Sequence, residues 1–75
     1  MDISASAVAE TGQKKDTPGI LTGCSAAASQ AFTVTSNGVV IWAQPAGTTE
    51  TNINISFQEL TIGGTGGTSS VVTFI

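Results

Sequence analysis

Cys24, Glu50, Glu59, Trp42 and the run Gly63-Gly64-Thr65-Gly66-Gly67-Thr68 are the stretches of this sequence with chemistry to offer. A thiol becomes a nucleophile when a neighbouring base holds it as thiolate, and the 75 residues contain no His to do so. Cys24 is the only cysteine, so it cannot pair within the chain. It reads first as a small buried apolar group, and second as the half of an intermolecular disulfide that would suit an extracellular assembly. Glu50 and Glu59 could be drawn as the acid and base of a glycosidase, but isolated carboxylates in loops and at strand ends read as solvated surface. The glycine run resembles a phosphate cradle only in composition. It has no Lys, and no helix-forming segment follows it, so it reads as a hairpin loop.

Three further signals are equally local. Leu21-Thr22-Gly23-Cys24 has the form of a lipoprotein cleavage box, yet the residues before it are too few and too polar for the apolar core of a signal. Asn54-Ile55-Ser56 matches the N-glycosylation triplet, which is short enough to arise by chance. No grouping of acids with the single thiol has zinc or calcium spacing, so neither metal nor cofactor is expected. The chain does not read as an enzyme.

The elements that would carry these residues are β-type. Ala31–Ser36 and Val39–Ala43 flank Asn37-Gly38, the strongest short hairpin signal, because a type I′ turn needs positive φ at both central positions. A two-residue loop pairs Ser36 with Val39. Unbroken alternation then puts Phe32, Val34, Val39, Ile41 and Ala43 on one face and Thr33, Thr35, Val40 and Trp42 on the other. Trp42 on that polar face reads as an interface anchor. Its alternative is a sugar-stacking platform formed with Asn52, Asn54, Thr33 and Thr35 in a small oligomeric carbohydrate-binding module. A further strand is expected from Thr51 to Phe57, with a kink near Gln58-Glu59 restoring the inward parity of Leu60 and Ile62. Val71–Ile75 closes the set, and the Ala26–Ala28 run reads equally as a helical turn or a close backbone approach. The expected fold is mainly β: a small antiparallel sheet, sandwich or barrel with an N-terminal arm, completed by neighbouring subunits.

Charge divides the chain. Five of its seven charged side chains lie in residues 1–16, and none lies between Thr17 and Thr49. Residues 1–16 therefore read as an arm, with Ile3, Ala5, Ala7 and Ala9 at strand spacing or, equally, a short helix capped by Asp2 or Ser4. Residues 17–75 read as the β-rich body. A net charge of −3 and two lysines exclude a nucleic-acid surface, and no apolar run is long enough to span a membrane. The uncharged body favours close packing against protein, since few charges must be desolvated.

Size sharpens this. A chain this short builds a limited core, and disulfide and metal are ruled out by composition, leaving oligomerisation as the remedy. Val71, Thr73 and Ile75 point one way and Val72 and Phe74 the other, so the last strand is apolar on both faces and lacks the usual protections of an edge. The interface residues expected are Trp42, Val40, Val71, Val72, Phe74, Ile75, Ile3 and Val8, with Cys24 as the candidate crosslink. The expectation is a self-assembling structural subunit of a filament, fibre, appendage or viral shell, with the arm or last strand exchanged between copies. No signal peptide is read at the start, and an extracellular surface or virion is the favoured setting.

Overall fold

The computed structural model describes residue 3 and residues 6–75. Asp2 and Ser4, the expected helix caps, and Ala5 of the alternating set lie outside the described residues. The described part contains β-strands and turns and no helix. The strands are β1 (Ser6–Val8), β2 (Lys14–Lys15), β3 (Gly19–Ser25), β4 (Phe32–Ser36), β5 (Val39–Gln44), β6 (Thr49–Glu50), β7 (Ile55–Phe57), β8 (Leu60–Gly64) and β9 (Val71–Phe74). They form two antiparallel sheets. One has the order β2-β8-β4-β5; the other runs β1-β9-β3-β6, with β7 also paired to β3.

The fold is mainly β, as the sequence predicts. The inward residues of both sheets meet in one core: Phe32, Val34, Leu60 and Ile62 from the first, Leu21, Cys24, Val72 and Phe74 from the second. Phe57 meets Phe74 edge-on, with ring centroids 6.0 Å apart and planes at 88°. The Lys15 ammonium sits 5.3 Å from the Phe74 ring centroid and caps that end of the core.

Within the arm, Ser6–Val8 and Lys14–Lys15 are each paired into a sheet. β1 pairs with β9 through Ser6↔Thr73, Ala7↔Val72 and Val8↔Val71, and β2 pairs with β8. Between them Ala9 N–H donates to Ser70 O and Gly12 N–H to Ile62 O. The strand reading of this segment holds over Ser6–Val8. The consequence for β9 is a correction. It lies inside its sheet, between β1 and β3, and is not an edge. Val72 (0% exposed) and Phe74 (1% exposed) are buried by their own chain.

The hairpin forms as expected at its turn and departs from expectation beyond it. Asn37 and Gly38 have φ of 52° and 77°, and Ser36 pairs with Val39. Thr35 then pairs with Val40 but Val34 with Trp42, so Ile41 is an extra residue, a β-bulge. Past it every side chain of β5 changes face. Trp42 and Gln44 turn toward the core beside Val34 and Phe32, and Ala43 turns out beside Thr33. A second bulge at Thr22 in β3 separates the pairs Leu21↔Phe74 and Gly23↔Thr73.

Two other expectations are resolved. Of the single strand expected over Thr51–Phe57 only Ile55–Phe57, β7, is strand; β6 lies just before it, and in the stretch between them Ile53 N–H donates to Thr22 O. The kink at Gln58-Glu59 is present as a bend where the chain passes from one sheet to the other, and Leu60 and Ile62 are buried after it. The alanine run is a turn. Gln30 N–H donates to Ala27 O, and Gly47 N–H reaches the same oxygen, so the backbone close approach is the correct alternative. The loop before β9 packs tightly as well: a Cβ on Gly66 would lie 2.0 Å from Ala9 O.

Candidate functional site

What could act in this molecule is its surface, and the strand registers place it residue by residue. Across the outer face of the first sheet run Lys14, Thr61, Thr35 and Val40 in one row and Gly63, Thr33 and Ala43 in the next. Across the outer face of the second run Val8, Val71, Ser25 and Thr49, then Ser6, Thr73 and Gly23. Lys14 is the only charge in these rows, and it lies beside Asp16, Nζ to Oδ2 3.8 Å. Threonine and valine cover both faces because β-branched side chains suit a pleated surface and leave little charge to desolvate.

The expected interface residues divide. Val40, Val71, Val8 and Ile75 are exposed, with Val40 at 55% and Ile75 at 74%. Val8 and Val71 are cross-strand partners and form one apolar spot. Val72, Phe74 and Ile3 are core residues, and cannot meet a neighbour while the sandwich is closed. The expectation erred because it treated β9 as two-faced, whereas β1 and β3 flank it and its inner face completes the core. Val39, expected inside, is 63% exposed although its partner Ser36 is buried, because it sits beside the turn on the edge strand. Its place beside the turn is the signal that would have found it.

Trp42 is half-buried and packs against the core. Its Nε1–H donates to Gln44 Oε1 at 2.8 Å, Gln44 Nε2 donates to Thr48 Oγ1 at 2.7 Å, and Thr48 Oγ1 donates to Pro45 O at 2.6 Å. The indole donor is thus spent within the chain. The sugar platform drawn with Thr33 and Thr35 is not formed, since both lie on the face opposite Trp42.

Cys24 faces the core beside Val72, and burial pushes its thiol up to about 12. Burial disfavours its thiolate and keeps it from the surface, where a second copy would have to reach it. Glu50 accepts the N–H groups of Thr51 and Asn52, and Glu59 accepts that of Asn37. Glu50 therefore caps local backbone, while Glu59 holds the hairpin turn 22 residues away, roles the sequence did not disclose. Among the described residues no cluster of acids and thiol could hold a metal. A cleft over Gly23, whose lining includes Cys24, Glu50, Val71 and Thr73, encloses about 80 Å³, far below the roughly 300 Å³ at which small-molecule sites begin. Gly63 and Gly64 end β8, and Thr65–Thr68 belong to the connection to β9, which crosses from one sheet to the other and is therefore not the expected hairpin loop; it is held by Thr11 Oγ1 donating to Gly64 O at 3.0 Å and Thr65 Oγ1 donating to Ala31 O at 2.8 Å. Among the described residues no helix is long and apolar enough to cross a membrane.

No protein-family model matches this chain, and neither a curated protein nor a solved structure shows significant similarity to it.

Proposed function

We propose that this protein is a structural subunit that works by packing against copies of itself, as in a filament, fibre, appendage or particle shell. The observation that carries the reading is the pair of nearly uncharged threonine-valine faces on opposite sides of one sandwich. Val40 stands out from one sheet, and Val8 with Val71 from the other. Two opposed adhesive faces allow a subunit to contact two neighbours at once, which is the geometric requirement for growth beyond a dimer. Exchange of the arm or last strand is no longer part of the proposal. β1 and β9 already satisfy each other within one chain, and exchange would break that pairing for no new contact.

Light scattering and negative-stain microscopy over a concentration series test it. Particles much larger than a 7.5 kDa monomer are expected. A monodisperse monomer at every concentration overturns the reading.

A further inference from the structure

The edges of the two sheets are not equivalent. β2 is two lysines, β6 is two residues ending in Glu50, and β1 and β7 are three residues each. Short edges and edge charges are the usual protections against unwanted pairing. β5 differs: it is a six-residue edge strand, Val39–Gln44, with no charge and no proline. Among the described residues no loop or side chain hydrogen-bonds to its main chain from the open side. Its one protection is the bulge at Ile41, which leaves Val39–Val40 and Trp42–Gln44 as strand on either side of it.

We infer that β5 pairs antiparallel, about a two-fold axis, with β5 of a second copy. This rests on the reading that the protein self-associates, and it names the surface. The occupant follows from the chemistry of the edge. A row of outward N–H and C=O groups is complementary to another extended backbone, and among the described residues β5 is the one such long, uncharged edge. Two-fold pairing needs only that one edge, because an isologous contact uses the same patch twice. Electrostatics permit it: the protein carries −3 overall, but β4 and β5 carry no charge, so no like charges meet across the axis. Each four-stranded sheet then becomes half of a continuous one, and the exposed Val39 and Val40 lose water on pairing. The outer face of the second sheet, with Val8 and Val71, remains free for further packing.

Sedimentation velocity on the full chain, with three single variants, tests this. Val40→Lys and Val40→Glu each place like charges near the axis and should weaken dimerisation about tenfold or more. Mixing the two variants should restore it. Thr68→Lys, at an exposed position in the β8–β9 connection, should leave the dimer intact. Amide hydrogen exchange of the unmodified protein gives a readout independent of any variant's folding: β5 amides should slow as concentration rises. Association that is indifferent to both Val40 charges, or concentration-dependent protection confined to other strands, overturns β5 pairing while leaving self-association standing. A monomer throughout overturns both.

Discussion

Cys24 shows what burial does to a single group. The thiol lies in the core beside Val72, so its ionised form is disfavoured and its pKa rises from 9.0 to about 12. The unfolded chain loses this proton first as pH rises. The stability contribution is therefore whole below about pH 9 and is lost as pH climbs toward 12. Over that window the slope from this group is about 1.4 kcal/mol per pH unit. Urea titrations at a series of alkaline pH values should show the natural chain losing stability more steeply than Cys24→Ala, which has no thiol to ionise. Parallel curves would assign the alkaline loss to other groups. Trp42 teaches a complementary lesson. Its ring supplies packing while its one polar atom is bonded by Gln44, so a residue that looks like an exposed anchor is a half-buried structural one.

The elements explain why. A single extra residue, Ile41, reverses the facing of everything after it in β5, and no periodicity argument can locate such a residue beforehand. The turn, by contrast, is legible, because only positive φ at Asn37 and Gly38 closes a two-residue hairpin with the right twist. β1 has the larger structural consequence. It covers the free side of β9, turning a hazardous edge into an interior strand. Deleting residues 1–9 should therefore expose the β9 edge, remove Ala9 and Ile3 from the core, and destabilise the fold by several kcal/mol. Thermal denaturation followed by circular dichroism, with light scattering for aggregation, checks this. A truncated chain that melts like the full one would mean that β1 is dispensable and that β9 needs no cover.

For the whole molecule, electrostatics is a minor force. Seven charged side chains and a net charge of −3 leave little long-range field, and the outer faces bear almost none of it. Assembly through them should vary little with ionic strength, by less than about threefold in apparent affinity between low and high salt, since there is little charge to screen. Scattering measured across a salt series checks this. A collapse of particle size in high salt would point to ion pairs as the adhesive. The core is the other molecular property. Val72, Phe74 and Leu21 close the sandwich against Phe32 and Ile62 within one chain, so the short core expected from length alone suffices to cover the last strand.

By itself the sequence determined the β class, the Asn37-Gly38 hairpin, the kink after Phe57, the uncharged middle of the chain and the absence of an internal disulfide. These are local or compositional properties, set by backbone sterics and residue counts. Tertiary structure alone decided which face each strand turns inward, that the first strand would lie against the last, and which of the apolar residues stay in water. Those outcomes depend on pairings between residues more than sixty positions apart, such as Val8 with Val71, and on bulges at Thr22 and Ile41. An alternating pattern fixes the period of a strand. Only its neighbours in space fix its phase.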